Sequence, residues 1–562
     1  MKLISFKAQI LVLSLIFFGV NQLIAQQSKQ QLANNINNYI EQVKDTWQLP
    51  GLAAAFYIDG EVILSKGYGI KEQVPADGIG YKGSRVDDRK IASGGFKGVV
   101  NRANSPIDNN TVFQIGSVSK SFTATVMASL VDEKKIKWED TVKNILPDFK
   151  MYDSWVTENM QVKDIMTHHT GLAEQAGTYF PNLGYNRDDI YKMLALMKPA
   201  YSFRGDYQYN NITFIIASKI IEKITGKSWE ENVYERIFNP LEMNSSSLNA
   251  KGYATSENVA TPHDYSYLGK IVTLPLYADE QALYWLTGVG PAGSVNSSVN
   301  DMIKYAQMHM NNGFIVNKNN QTGNLDTIRI ISEEAAKYLH KGQTITSQND
   351  NKINLYGHCW FVEQNNRYKL YFHTGTTWGM TALCFYVPQY KLCGVILVNS
   401  EAGSSPRYAI MRRYIDLAIG APADTYTDVY KDYNKEYFQE WLTNSKKRWE
   451  KSQTEEAKKV IKPAPDSNKL VGDYVKDELF GDAKISIENG DLYIEIGKNG
   501  FKNKMTHVDG NEYSFRSDGH AFPIVFSFNE ENINSDENNK ATGFIVKFNY
   551  GEEDDFGGWR RK

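Results

Sequence analysis

The chain has 562 residues, 42% hydrophobic and 23% charged, with a formal net charge of -3 and a pI near 6.4. That is a globular composition with room for roughly two to four domains, and the lack of a basic surplus excludes nucleic acid as an expected partner. Three cysteines, Cys359, Cys384 and Cys393, are too few for a disulfide scaffold. In chain order, the first segment sets Lys2 and Lys7 ahead of an apolar run from Ile10 to Val20, with a small Ala25 before polar Gln26. This pattern predicts a cleavable signal peptide over residues 1–25 and export to the periplasm or the medium. No later stretch reaches the roughly 18 consecutive apolar residues that a spanning helix needs, so no span is expected in the mature chain.

From Leu49 to Tyr68, LPGLAAAFYIDGEVILSKGY gives two strand-like runs around Asp59-Gly60, a hairpin signal. Residues 74–108, rich in Gly, Asp, Lys and Arg, are expected to be a long loop or insertion. Helices follow to about 245, irregular structure to about 300, and strands between Tyr368 and Asn399. Strands at both ends with helices between them predict an α+β fold, one sheet assembled from distant segments beside a helical lobe. Cys384 and Cys393 flank a predicted hairpin, so a bridge between them is open as well as two buried free thiols. Residues 425–465 carry a charged helix ended by the prolines of KPAP and are expected to be a linker. Residues 466–562, with AKISIENGDLYIEIG alternating around Asn489-Gly490, predict a separate antiparallel β domain.

Three segments carry reactive residues. In QIGSVSKSFTA, Val118, Phe122, Val126 and Leu130 recur at helical steps, so Ser117 and Lys120 share a face while Ser119 and Ser121 point elsewhere. Gly116 permits an abrupt entry from TVFQI, which places Ser117 in the first turn, where free N–H groups favour developing negative charge. In GDYQYNNITF, Tyr209 and Asn211 lie two apart before an amphipathic helix and can face one cleft. In YKLYFHTGTTWG, His373-Thr374-Gly375 ends an alternating strand, and Gly375 allows close backbone approach. The same tripeptide at His169-Thr170-Gly171 precedes Tyr209 and sits in a predicted helix and its Gly cap, so His168 and His169 are read as structural. No tight metal spacing occurs among the nine histidines, and neither a metal nor a cofactor is expected.

Ser117-x-x-Lys120, Tyr209-x-Asn211 and His373-Thr374-Gly375 together resemble the active-site motifs of the penicillin-recognising serine hydrolases. The resemblance is to the branch of class C β-lactamases, D-alanyl-D-alanine carboxypeptidases, D-aminopeptidases and esterases. It extends through LPGLAAAFYIDGEVILSKGYG, IMTHHTGL, IIEKITGKSW and GPAGSVNSSVNDMIKY in family order. It implies a β-lactamase/transpeptidase-like fold over residues 26–424 and a lipocalin-like β appendage over 466–562.

The resemblance also implies roles. Ser117 attacks a carbonyl, Lys120 and Tyr209 move its proton, and an acyl-enzyme forms. Which of the two is base at each step is open. Asn211 holds Lys120 and the substrate amide, and the N–H groups of Ser117 and Thr376 form an oxyanion hole. His373 stands where many β-lactamases have lysine; with an ordinary pKa near 6.5 it would meet a substrate carboxylate as an imidazolium only at lower pH. The expected activity is therefore a peptidase or D-alanyl-D-alanine carboxypeptidase-like enzyme acting on a small-molecule or peptidoglycan-derived peptide substrate, with esterase and β-lactamase as alternatives. An inactive cell-wall binding protein using Tyr474, Tyr493 and Trp559 is the alternative of another class. Trp285 and Trp378 are candidates for lining the cleft, and oligomeric state is left open.

Overall fold

A computed structural model of the chain describes residues 29–73, 102–248, 253, 256–265, 271–273, 285, 287–318, 325–421, 435–458, 460–498, 500–517, 520–528, 540–547 and 558–562. The expected signal peptide and most of the 74–108 insertion lie outside them.

A hairpin opens the sheet: β1, Gly51–Ile58, pairs with β2, Glu61–Gly69, and Asp59 and Gly60 turn with positive φ. The remaining strands are β3 (Thr344–Asn349), β4 (Lys352–Tyr356), β5 (Phe361–Asn365), β6 (Lys369–Thr377), β7 (Met380–Val387) and β8 (Leu392–Val398). They form one eight-stranded antiparallel sheet in the order β2-β1-β8-β7-β6-β5-β4-β3. The central strands β7 and β8 are buried along their whole length because both faces of the sheet are covered, which is why MTALCFYV and LCGVILV show no clean polar alternation.

Leu52, Ala54, Phe56, Leu383, Phe385 and Ile396 face one core, closed by a helix over residues 29–46 through Ile36, Ile40 and Val43. On the opposite face, Ala53, Ala55, Ala382, Cys384 and Val395 join the core of the helical lobe. That lobe contains α1 (Ser119–Asp132), α2 (Thr213–Thr225) and α3 (Val299–Met310), while α4 (Ser404–Ile419) completes the first face with Ile410, Met411 and Tyr414. The α1 helix is buried almost all round, as expected for a helix apolar on two sides.

Strands β3 to β5 are additional to the sequence expectation, which began the C-terminal strands at Tyr368. TITSQN and KINLY lie toward the sheet's outer edge and stay largely half-buried or exposed, so their apolar signal is reduced to Ile345 and the short pair Ile353 and Leu355. Cys359, Cys384 and Cys393 are free buried thiols. After α5, Lys435–Lys458, eight strands from β9 (Gly472–Val475) to β16 (Trp559–Arg561) close an antiparallel barrel, with Tyr474 of β9 opposite Arg561 of β16. Its interior is filled by Tyr474, Tyr513, Phe526, Phe544 and Trp559, the last two stacked at 5.3 Å. Tyr474 and Trp559 are therefore core residues, which corrects their reading as a binding surface. The barrel touches the lobe at Tyr185, whose hydroxyl donates to the Phe480 carbonyl at 2.7 Å, and through an ion pair of Lys498 with Asp189.

Candidate active site

The site begins where the strand-like TVFQI ends. Phe113 and Gln114 pair with Ser297 and Asn296, and Gly116 then turns the chain at φ +52° into a short 3-10 turn, Gly116–Val118, ahead of α1. Only glycine fits there: a Cβ on Gly116 would lie 2.8 Å from the Thr376 nitrogen. The contact is reciprocal, since a Cβ on Gly375 would lie 1.8 Å from the Ile115 carbonyl oxygen and 3.0 Å from the Ser117 nitrogen. Two glycines thus let the β6 backbone lie directly against the turn bearing Ser117. Pairing of β6 with β5 stops at Phe372, whereas pairing with β7 continues to Thr377, so the His373–Thr377 stretch meets this turn along an edge that β5 does not occupy.

Among the serines of the turn, Ser119 is buried and donates to the Gly116 carbonyl at 2.6 Å, and buried Ser121 donates to the Val118 carbonyl at 2.7 Å. Ser117 is partly exposed and accepts a hydrogen bond from Lys120 Nζ at 3.1 Å. Lys120 also donates to Asn211 Oδ1 at 2.6 Å and to the Ala292 carbonyl at 3.1 Å, the latter within the GPAG turn. Among the described residues it has no carboxylate partner. Burial consequently disfavours its charged form and brings its pKa down to about 7.

Tyr209 is held in front of α2 by its neighbour Asn210, whose side chain accepts from the Ile212 and Thr213 nitrogens and donates to the Ala173 and Ala176 carbonyls. The Tyr209 ring lies under Lys120 Nζ, 4.6 Å from its centroid. Burial raises the phenol pKa above its ordinary value, opposed by a hydrogen bond with Ser117. Lys120 and Tyr209 are thus pushed in opposite directions in proton affinity, the amine toward deprotonation near neutrality and the phenol toward staying protonated.

Asn211 meets Lys120 as expected, but its amide nitrogen is already engaged, donating to Gln175 Oε1 at 2.7 Å and Thr178 Oγ1 at 3.3 Å. Gln175, at φ +59° in the loop before Thr178, and Trp285, which donates to the Thr178 carbonyl at 2.9 Å, form the wall that orients it. Neither Gln175 nor Thr178 was singled out by the sequence, because a single polar residue in an irregular loop carries no periodic signal. Trp378 is half-buried beside Thr377.

His373 departs most from expectation. It is buried, with Nδ1 2.7 Å from the Thr374 carbonyl and Nε2 3.1 Å from the Tyr356 hydroxyl. A carbonyl requires a donor at Nδ1, so the Tyr356 hydroxyl can donate to Nε2 of a neutral ring. Burial first, and then the neighbouring Lys120, push its pKa down to about 3, which removes the imidazolium expected for carboxylate recognition. Thr374 is half-buried and Thr376 exposed on the same strand.

His168 is buried behind the site; its Nδ1 accepts from the Asn210 nitrogen at 3.1 Å and its ring lies 4.3 Å from that of Tyr209. It packs against the Tyr209 ring from within the core. Half-buried His169 lies 3.3 Å from Thr167 Oγ1. Among the described residues no group of three His, Cys, Asp or Glu side chains could hold a metal ion, and no helix is long and apolar enough to cross a membrane.

Residues 36–418 match the family described as Beta-lactamase. An unguisins hydrolase, ungD', of Aspergillus campestris is 25% identical over 411 residues, 70% of this chain and 67% of that protein. A teichoic acid D-alanine hydrolase of Staphylococcus aureus is 29% identical over 218 residues, 36% of this chain and 44% of its relative. In fold, the octameric penicillin-binding protein homologue from Pyrococcus abyssi is similar with a TM-score of 0.53 at 20% identity, covering 88% of this chain and 95% of that one.

Proposed function

The chain belongs to the beta-lactamase family of serine hydrolases, and from that premise we propose that it cleaves D-alanyl peptides or esters through an acyl-enzyme on Ser117. The observation that carries this reading is the hydrogen bond of Lys120 to Ser117 at 3.1 Å by an amine whose pKa is near 7. Neutral Lys120 accepts the Ser117 proton as Oγ attacks the carbonyl carbon, and the Ser117 and Thr376 N–H groups receive the developing oxyanion, each worth about 3 kcal/mol by comparison with other hydrolases. Protonated Tyr209, hydrogen-bonded to Ser117, then gives a proton to the departing amine or alcohol and recovers it through Lys120. Water attacks the acyl-enzyme by the reverse route, releasing the acid and restoring Ser117.

Neutral His373 moves the substrate preference. A carboxypeptidase reading relies on recognising a free carboxylate, and this ring supplies no charge for it. An acyl donor such as a D-alanyl group, of the kind named for the Staphylococcus aureus relative, needs no such cation. A carboxypeptidase acting on a peptidoglycan-derived peptide is the second reading, which the Lys120–Ser117 hydrogen bond serves equally.

We further propose that residues 1–25 are removed on export and that 425–465 links the hydrolase, 26–424, to the barrel, 466–562. Intact-mass measurement after incubation with D-alanyl esters, D-alanyl-D-alanine peptides and a penicillin, followed by peptide mapping, tests the reading. The expected result is a single adduct on Ser117 with all three acylating classes and fastest turnover of the D-alanyl ester. An adduct elsewhere, or none, refutes it.

A further inference from the structure

Behind the strand that faces Ser117 lies a cation the hydrolytic reading does not use. Arg407, in the first turns of α4, is buried, with no carboxylate in ion-pair contact among the described residues. Its Nη1 donates to the Gly375 carbonyl at 2.6 Å and to the Ala382 carbonyl at 2.9 Å, two residues opposite one another on β6 and β7, while its Nε has no partner among the described residues. A buried guanidinium that spends its donors on backbone carbonyls is costly, since desolvation is not balanced by an opposite charge. Its pKa falls to about 10 for that reason, and it still carries its charge at neutral pH.

The carbonyl that Arg407 holds belongs to the peptide bond whose nitrogen is that of Thr376. A trans amide points its N–H opposite to its C=O. With the Gly375 oxygen turned to Arg407, the Thr376 N–H is aimed at the other edge, where Gly116 and Ser117 lie against it. A cationic donor on the oxygen withdraws electron density through the amide, strengthens the C–N double-bond character and leaves the N–H more positive. Hydrogen-bonded chains strengthen one another in this way by roughly 10–30% per bond.

We propose that Arg407 is a positioning residue that polarises the Gly375–Thr376 peptide and so strengthens the oxyanion-binding N–H of Thr376. This rests on the acyl-enzyme reading above and adds to it a residue on the far side of the sheet, outside all three motifs. The same contact fixes the orientation of the peptide plane, and the field of an uncompensated cation favours negative charge accumulating on the substrate oxygen.

The test uses the full chain with Arg407→Met and Arg407→Lys, a D-alanyl ester with a labelled carbonyl, single-turnover acylation kinetics and infrared difference spectra of the acyl-enzyme. Arg407→Met is expected to lower the acylation rate constant by about tenfold, less than complete loss of an oxyanion donor, with substrate affinity unchanged. The acyl carbonyl band is expected to move to higher frequency, the sign of a weaker hydrogen bond. Arg407→Lys, which keeps the charge, is expected to recover most of both effects. Should Arg407→Met fail to fold by circular dichroism, Arg407→Gln, which keeps a donor but loses the charge, takes its place, and its band must lie above that of the wild type. A lower melting temperature with an unmoved band and unchanged acylation rate means that Arg407 only holds α4 to the sheet, and overturns the inference alone. Absence of any Ser117 adduct in the wild type is a different failure: it refutes the acyl-enzyme reading and this inference with it.

Discussion

Replacing Lys120 by methionine, and separately titrating the wild type, tests the electrostatics of the site from two directions. An ordinary lysine with a pKa near 10.4 is about 0.04% neutral at pH 7, whereas one at about 7 is half neutral, so burial raises the free-base fraction by roughly a thousandfold. The acylation rate constant should therefore rise about tenfold per pH unit below 7 and level off above it. Lys120→Met should abolish the pH-dependent limb and lower acylation by at least about a hundredfold. The same depression has a stability consequence of fixed sign. Between pH 7 and about 10 the unfolded chain holds a proton on this lysine that the folded chain does not, so wild-type stability gains about 1.4 kcal/mol per unit as pH rises, relative to Lys120→Met. Below pH 7 both states are protonated and the difference is flat, with the full desolvation penalty of about 5 kcal/mol imposed on the wild type. Stopped-flow acylation by an activated ester and urea unfolding at several pH values measure the two effects. An acylation rate independent of pH between 5 and 8, together with a parallel stability profile for the two proteins, would show that Lys120 is an ordinary cation and not the base.

Ser117→Ala should lower kcat by roughly 10⁴ or more, while Ser119→Ala, which loses only its bond to the Gly116 carbonyl and its acceptor for Val295, should retain a labelled Ser117. Peptide mapping of the acylated protein checks both, and labelling at Ser119 or Ser121 contradicts the helix-face geometry. Because His373 is neutral well below pH 6.5, kcat/KM for carboxylate-bearing and neutral substrates should follow the same profile through that range; a rise for the charged substrate alone would restore the imidazolium. A chain truncated after about residue 460 should still be acylated by a small ester, but should melt lower, because Tyr185 and Asp189 lose Phe480 and Lys498. Circular dichroism with intact mass separates the outcomes, and a folded truncation that cannot be acylated means the barrel completes the site.

Much of the fold was legible because its signals are local. The β1–β2 turn announces itself by Asp59-Gly60, and α1 by the four-residue recurrence of Val118, Phe122, Val126 and Leu130. The barrel shows in the alternation of Ile485 and Ile487 with Leu492, Ile494 and Ile496, three of which, Ile485, Ile494 and Ile496, are almost fully buried. Strands β3 to β5 were not legible for an opposite reason. Their pairing is set by extending an existing sheet outward, so main-chain hydrogen bonds rather than apolar alternation specify them. Tyr474 and Trp559 carry a further lesson: aromatic residues in a β domain read equally as a binding face or a core until closure of the barrel decides which side is inside.

The candidate site divides along the same physical line. Ser117 and Lys120 sit one helical turn apart and Tyr209 and Asn211 two residues apart, so their relation is written in the spacing. Gln175 and Arg407 act through contacts with residues 36 and 32 positions away in the chain, at Asn211 and Gly375, and nothing in the local sequence distinguishes them from surface polar groups. His373 shows why naming a residue does not fix its charge. The tripeptide is where the motif puts it, but its protonation is set by Tyr356, by the Thr374 carbonyl and by a lysine that is itself half neutral, contributed by three separate segments. A site that tunes Lys120 by withholding a carboxylate must also withhold carboxylates from the groups around it. The same anion-poor burial that frees the Lys120 amine, together with the charge Lys120 retains, discharges His373, so in the proposed mechanism base strength and substrate charge preference come from one feature of the packing.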